Sequence, residues 1–488
     1  MNEHRVGFPA KLAYWVGQLA EGLKSATFNL FLLFFYNQVL GLSGTLCGIA
    51  LIIGTVVDAV TDPMMGSVSD GWRSRWGRRH PFMYIAAVPL ALSLYLTFNP
   101  LVETQAALFV WLLICSVLTR VAMTLYSVPH MALGAEMSSD YQERTVIVAG
   151  RSFFGLCGHL LVFALGFGLF FAASAEFENG QLNPAAYPPF ALAIATLTFV
   201  SVVGTAWGTH HLIPSLIQPP KQQHNMLKQT VLDTLEALQN LSFRWLVMGF
   251  VVMSVPLGVG NAFTLYMNTF FWQLPPSAMV YILVGLPVGT MLGFLFAPFL
   301  GRFLEKRQSL ILGATGWVVF SVAPVCLHYA GWFPAPGSQG VVIALVICTF
   351  MAGLLVSQVG VGVGSMLADV ADEQELSSHK RQEGAFYGAY TFVVKATMGV
   401  GGAVSGFALD LLDWPRGEMV KTAADVPPET LFYLAMIAGP GLAVGVLPAV
   451  WCFMKYRLDR STHHSILAEL DSRRQAGNSA TVTRPTVR

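Results

Sequence analysis

Two aspartates, Asp58 and Asp62, stand inside an apolar run. The stretch 54–81 reads GTVVDAVTDPMMGSVSDGWRSRWGRRHP. A carboxylate in hydrocarbon costs roughly 2.5 to 3.5 kcal/mol on insertion scales, so it persists where it does work. At i and i+4 the two share one helix face. Pro63 follows, and a proline in a helix removes an amide donor and leaves a carbonyl a turn earlier without its partner. Carboxylates with a freed carbonyl form a hard oxygen site for a small cation such as Na+. The same pair can instead share a proton, because neighbouring like charges raise one pKa. The next residues, Arg73, Arg75, Arg78 and Arg79, form a cluster that cannot enter the bilayer. An acidic pair inside a membrane followed by a basic loop outside it points to a cation-coupled carrier.

Other ionisable groups fall in apolar runs. Glu21 and Lys24 lie three residues apart on one face, either neutralising each other or lining a cavity. Arg120 precedes TLYSVPHMALGAE, which carries Thr124, Ser127 and His130. Arg151 opens the following run, and Lys395 comes one turn after Thr391. A lone membrane lysine calls for a carboxylate partner; Asp58 and Asp62 are the candidates for Lys395. Tyr387, Tyr390, Asn261, Tyr266 and Asn268 divide evenly between substrate contact and packing. His130 and His159 read as hydrogen-bonded packing residues, and Trp272 as an aromatic anchor at the membrane surface. Between the runs, Asp140, Glu143 and Arg144 on one side of the chain's midpoint face Asp369, Asp372, Glu375, Lys380 and Arg381 on the other. Together with Asp70 and Arg78 they suit an inner gate of weak charge pairs, each worth about 0–1 kcal/mol when exposed.

The elements that must position these groups follow from composition. Of 488 residues 54% are hydrophobic and 11% charged, against about 25% charged in a soluble domain. A span needs about 20 mostly apolar residues. Twelve candidates fit: 12–39, 44–69, 81–99, 106–135, 148–173, 188–212, 244–272, 279–301, 309–329, 340–367, 383–411 and 430–455. The chain thus divides into a six-helix half at 1–212, a polar linker at 213–243, a second six-helix half at 244–455 and a polar tail at 456–488, disordered beyond Leu470 by composition. Of 28 lysines and arginines, only Arg416 and Lys421 fall on the side away from the termini, and Lys24, Arg120, Arg151 and Lys395 fall within spans. The positive-inside rule therefore puts both termini in the cytoplasm. The basic loop after span two recurs after span eight as GRFLEKR at 301–307, the weak repeat expected of two related halves around a midplane site. GVGGAVSG at 399–406 is read as close helix packing. Cys47, Cys115, Cys157, Cys326, Cys348 and Cys452 all sit in apolar runs and read as buried and reduced. The first 11 residues lack the form of a cleaved signal, so the first span serves as its own insertion signal. A net charge of +1 implies no nucleic-acid partner.

Three segments carry a family resemblance: DAVTDPMMG with RSRWGRRHP; LYSVPHMALGAE with DYQERT and Arg151 beyond; and MLADVADEQE through RQEGAFYGAYTFVVK. Together they resemble the glycoside–pentoside–hexuronide:cation symporters, the melibiose permease-like branch of the major facilitator superfamily. The resemblance implies an all-α membrane protein with twelve helices in two pseudo-symmetric six-helix bundles rocking about a central cavity. It implies no cofactor beyond a coupling ion, H+ or Na+, and a multi-pass protein of a bacterial inner membrane, for which a monomer suffices. The family's helix-two carboxylates match Asp58 and Asp62, its helix-four threonine Thr124, its helix-five arginine Arg151, and its helix-eleven threonine and lysine Thr391 and Lys395. Its gate residues match Arg144, Asp369 and Arg381. The departures concern cargo. The helix-one aspartate falls at Gly22, beside Glu21, and the helix-four aspartate at Ser127. The sugar-stacking tryptophan falls at Met131, and the asparagine between the carboxylates becomes Thr61. The coupling core is kept while much of the galactoside clamp is gone. Four basic residues in the spans against Glu21, Asp58 and Asp62 suit an anionic substrate, a hexuronide or a sulfo-sugar. The same fold carrying a lysolipid or another amphiphile is the alternative. A membrane enzyme or sensor is disfavoured, because the sequence holds no nucleotide loop, metal-ligand cluster or nucleophile elbow.

Overall fold

The computed structural model describes residues 6–138, 140–216, 238–378, 383–417, 420 and 422–482, and the regular structure among them is helical. The first half contains α1 (Phe8–Thr27), α2 (Gly44–Gly71), α3 (His80–Thr97), α4 (Gln105–Glu136), α5 (Tyr141–Leu165) and α6 (Tyr187–Gly208). The second contains α7 (Leu241–Tyr266), α8 (Pro276–Leu300), α9 (Lys306–Tyr329), α10 (Gln339–Ser378), α11 (Glu383–Leu411), and α12 (Pro428–Ala438) with α13 (Pro440–Met454). Ten crossings are long and apolar enough to span a bilayer on those grounds alone. Of the other two, α1 is diluted by Glu21 and Lys24, and α11 contains the apolar stretch Gly399–Leu411. The expected spans 44–69, 106–135 and 383–411 lie within two residues of α2, α4 and α11. The twelfth is broken at Gly439, because Pro440 brings no amide donor to continue the ladder.

Helix pairing repeats after six crossings. In the first half α1 packs on α5 and α6, α2 on α4, and α3 on α4 and α6. In the second α7 packs on α11 and α13, α8 on α10, and α9 on α10 and α13. The halves meet through α2 against α11 and α5 against α8, a pairing that maps onto itself under the same shift. The basic loops obey it too. Arg78 and Arg79, after α2, reach Glu136 at the end of α4, each with a nitrogen 2.8 Å from Oε1. Lys306, after α8, reaches Asp369 near the end of α10 at 2.7 Å. The sequence repeat therefore marks one device used twice, an ion pair tying a basic loop to the end of the neighbouring long helix.

Two expectations need correction. The tail forms α14 (Arg460–Val482) rather than a disordered segment. Asp459 caps it by accepting from the Thr462 amide at 2.8 Å, Ile466 and Leu470 are buried, and His463 lies 3.1 Å from Asp372. The Thr462 and Ser461 bonds hold the Asp459 carboxyl down at about 2. The cap is therefore complete above the ordinary aspartate range and is lost only as pH falls toward that value. Among the cysteines, Cys47, Cys115 and Cys452 are buried but Cys326 is exposed, which costs little for an apolar thiol on a helix meant for lipid.

At the face away from the basic loops, the halves are bound together. Tyr266 donates to Asn37 (2.9 Å), Trp414 to Gln38 (2.6 Å) and Gln181 to Thr269 (3.0 Å), each bond joining one half to the other. Asp410 on α11 caps the N-terminus of α2, accepting from the amides of Gly44 (2.9 Å) and Thr45 (2.8 Å), while Arg416 donates to it at 2.7 Å. A carboxylate at a helix N-terminus meets both orphan amides and the positive end of the dipole. The cap requires close approach: a Cβ on Gly44 would stand 2.2 Å from the Gly406 carbonyl oxygen. Among the described residues, no ion pair joins the halves at the basic face. Among the described residues, the hydrogen bonds that join the halves thus gather at the face away from the basic loops.

Asp410→Asn removes a charge-assisted cap worth about 1.5 kcal/mol or more. Spin labels at Ala185 and Gln273, on opposite halves of that face, are expected to gain a longer-distance population by pulsed EPR. An unchanged distance distribution would rule out the cap as a latch.

Candidate functional site

The sequence scattered its candidate residues over five helices, and the fold gathers those of α1, α2 and α4 at one cavity of about 290 Å³ between the halves. Glu21 and Lys24 enter from α1, Asp58 and Asp62 from α2, and Arg120, Thr124 and Ser127 from α4. Phe250, Ser254 and Asn261 of α7, with Val394 and Gly399 of α11, form the opposite wall. The i, i+4 spacing on α2 sets two carboxylates one turn apart, and the same spacing from Arg120 to Thr124 sets a charge and a hydroxyl level with them. Arg120 pairs directly with Asp58. One turn on, Thr124 donates its hydroxyl to Asp62 at 2.7 Å. Thr61 donates to the Val57 carbonyl (2.8 Å) and sits 3.3 Å from the Thr124 hydroxyl. Pro63 lies inside the unbroken α2, so position 63 offers no amide to the Ala59 carbonyl. Two carboxylates, two hydroxyls and a freed carbonyl thus share one region of the helix.

Arg120 fits because position 54 is glycine: a Cβ there would stand 2.7 Å from Arg120 Nε. That nitrogen is buried without an acceptor among the described residues, so the guanidinium is only partly satisfied by Asp58. Glu21 and Lys24 do not neutralise each other. Glu21 accepts from Ser25 at 2.8 Å, while the Lys24 ammonium lies 5.8 Å from the Phe28 ring centre. Lys24 is 9% exposed and, among the described residues, has no carboxylate at ion-pair distance. A buried ammonium with no counter-charge is costly, and it faces the cavity.

Other expected positions fall elsewhere. Arg151 interacts with the Tyr14 hydroxyl on α1 and does not line this cavity. The side chains of Tyr387, Thr391 and Lys395, and all of Lys380, Arg381 and Lys421, lie outside the described residues. The expected gate residues pair within their own halves. Asp70 holds Arg79, Arg78 holds Glu136, and Arg144 donates to the Ser138 carbonyl at 2.6 Å. Asp369 holds Lys306, and Asp372 meets His463. Glu136, 8% exposed and bonded to both arginines, had gone unremarked within LYSVPHMALGAE, where nothing local marks it as their partner.

Tyr266 belongs to the face away from the basic loops instead of a substrate contact, since its hydroxyl is spent on Asn37. Trp272 is no surface anchor: it is 3% exposed, packed on Phe271 and Phe333. His130 is stacked between Tyr14 and Tyr126 with its ring nitrogen 2.9 Å from the Tyr14 carbonyl, a packing residue as expected. His159 bonds the Gly155 carbonyl at 3.0 Å but also borders a second cavity.

Residues 13–460 match a family model described as "MFS/sugar transport protein". The isoprimeverose transporter of Lactiplantibacillus pentosus is 22% identical over 98% of this chain and 94% of its own length. The putative glycoside/cation symporter YagG of Escherichia coli (strain K12) is 25% identical over 84% of each chain. Among solved structures, the inward-open conformation of the xylose transporter XylE from E. coli matches 94% of this chain and 98% of its own. The TM-score is 0.60 at 15% identity, a likeness of fold.

Asp58→Asn and Asp62→Asn are each expected to abolish uphill accumulation while leaving membrane level and helicity intact. Full accumulation by both variants would remove the cation site from α2. Gly54→Val, which pushes Arg120 off its seat, is expected to slow transport at normal membrane level; an unaffected rate would make the seat incidental.

Proposed function

The chain belongs to the MFS/sugar transport protein family, and from that premise we propose that it is a secondary active transporter carrying a sugar or glycoside together with H+ or Na+ by alternating access. One observation carries the mechanism: Asp58 and Asp62 stand inside a membrane helix at a cavity between the halves, with Asp58 occupied by Arg120. In the empty carrier, Arg120 neutralises Asp58. A coupling cation at the pair takes over that task. A proton would sit on a carboxylate oxygen. Na+ would draw on the carboxylates, the Thr61 and Thr124 hydroxyls and the Ala59 carbonyl. Arg120 is then released toward the cavity, where Lys24 already stands without a carboxylate. Two cationic side chains free of counter-charge favour an anionic group on the substrate, as in a hexuronide or sulfo-sugar. Each ligand thereby raises the affinity for the other, which is what coupling requires. Lys395 and Thr391 complete this site from α11 in the proposal, and Arg151 positions α1 through Tyr14.

The basic face lies in the cytoplasm under the positive-inside rule, in a bacterial inner membrane, with residues 1–212 and 244–455 as the moving halves. The conformation described is then open inward. In the outward state, Arg144, Asp369, Asp372, Arg381, Asp70 and Arg78 exchange their partners within each half for partners across the inner face. A gate of exposed pairs, each worth about 0–1 kcal/mol, can be broken every cycle. The amphiphile reading finds no support in the relatives, whose names are those of sugar and glycoside carriers.

The test is solute-induced cation movement in membrane vesicles. Neutral glycosides, hexuronides, sulfo-sugars and lysolipids are added while external pH and sodium are followed. Alkalinisation or sodium loss with a sugar class is expected, and silence with every sugar would refute the symporter reading. In the same vesicles Arg120→Gln should lose preference for acidic over neutral glycosides; an intact preference would remove Arg120 from substrate binding.

A further inference from the structure

A second and larger cavity, about 460 Å³, lies within the second half and opens toward α1 and α5. It shares Asn29, Leu257 and Asn261 with the charged cavity, so the two adjoin. Their chemistry differs. Among the described residues, no aspartate, glutamate, lysine or arginine lines the larger one. Its polar groups are neutral amides and hydroxyls, with the imidazole of His159, set among Trp317 and aliphatic side chains. The volume lies within the range of about 300–1,000 Å³ usual for small-molecule sites.

The amides are placed with care. Asn261 and Asn268 stand seven residues apart, two turns along one face of α7. Asn268 lies in the π-helical turn Met267–Phe271 that ends α7, and Asn29 in the π-helical turn Phe28–Leu32 that continues α1. Such turns are wider than an α-helix and occur often at functional sites. Asn29 and Asn261 are exposed among buried neighbours, which means that they are exposed to this space. Asn268 is only 6% exposed, yet its Nδ2 has no acceptor among the described residues. A buried amide donor left unpaired is a cost that a ligand oxygen would remove.

We propose that this second-half cavity receives an uncharged sugar ring of the substrate, while the charged cavity receives the end that meets Lys24 and Arg120. The inference rests on the symporter reading and deepens it to a substrate of at least two units. Uncharged amide donors and acceptors suit hydroxyl groups, and the apolar walls suit the C–H faces of a pyranose. A ligand held by one half alone has no reason to distinguish the two states, whereas one bridging both halves binds them differently.

The test measures binding to the purified full-length chain by calorimetry and by the fluorescence of Trp272 and Trp317, which line the cavity. The probes are methyl glucuronide and methyl xyloside, and the disaccharides in which the same sugars are joined to glucose. Wild-type protein is expected to bind at least one disaccharide about tenfold more tightly than its methyl glycoside, with a fluorescence change only for the disaccharide. Asn268→Leu, nearly isosteric, and Ser321→Phe, which fills the cavity, should each cancel that increment and leave the methyl glycoside unaffected. Equal binding of both classes by wild type would overturn the second compartment and leave the symporter intact, as would an undiminished increment in Asn268→Leu. Binding of none of the four probes would overturn the two readings together, whereas cation movement with a single sugar unit in the vesicle assay would separate them.

Discussion

A carboxylate in hydrocarbon must be neutralised, and in this protein Arg120 neutralises Asp58. Much of the first half can be traced to that pair. Asp58 and Arg120 meet because α2 packs on α4, and the guanidinium has room because Gly54 presents no side chain. Breaking a buried pair by deleting one partner typically costs about 3–5 kcal/mol. The only inexpensive way to free Arg120 is to supply another cation to Asp58. In the proposed mechanism that constraint makes the ion pair a coupling element, because a cation replacing Arg120 would also release it toward the cavity.

The asymmetry between the two faces follows a related logic. Where the halves are joined, the contacts are a helix cap and side-chain hydrogen bonds spread over several elements, with Asp410 on the end of α2 at their centre. At the basic face, among the described residues, charged side chains pair within their own halves, as Arg78 and Arg79 with Glu136 and Lys306 with Asp369. Since both loops do this in the same way, the repeat is a repeat of mechanism as well as of helix order.

The two halves also divide the chemistry of the central space. The described charges around it all come from the first half, whereas the second half contributes only uncharged amides, hydroxyls, aromatic rings and aliphatic side chains. On the proposed reading, coupling and selectivity are separable: the ion would read α2 and α4, and the remainder of the cargo α7 to α10. The amides common to both compartments are Asn29 and Asn261, while Asn29 and Asn268 are carried by π-helical turns at the ends of α1 and α7, which are equivalent helices under the six-crossing shift.

The sequence determined the crossings, their division into halves, the acidic pair and the repeat of the basic loops. Each of these is local: twenty apolar residues, an i, i+4 spacing, a run of arginines. It also determined most of the charged cavity, because an ionised group in an apolar run has few other places to go, so Glu21, Lys24, Asp58, Asp62, Arg120, Thr124 and Ser127 could be named in advance. Partnership was beyond it. That Arg120 holds Asp58, that Glu136 holds both arginines and that Tyr266 latches to Asn37 depend on which helices lie side by side, and hydropathy is silent about neighbours. The second compartment was hidden for the same reason. Asparagine, threonine and tryptophan carry no charge penalty in a membrane, so nothing in their spacing distinguishes a residue that packs from one that lines a cavity; only the tertiary arrangement, by leaving the Asn268 donor unpaired in an open space, made that distinction.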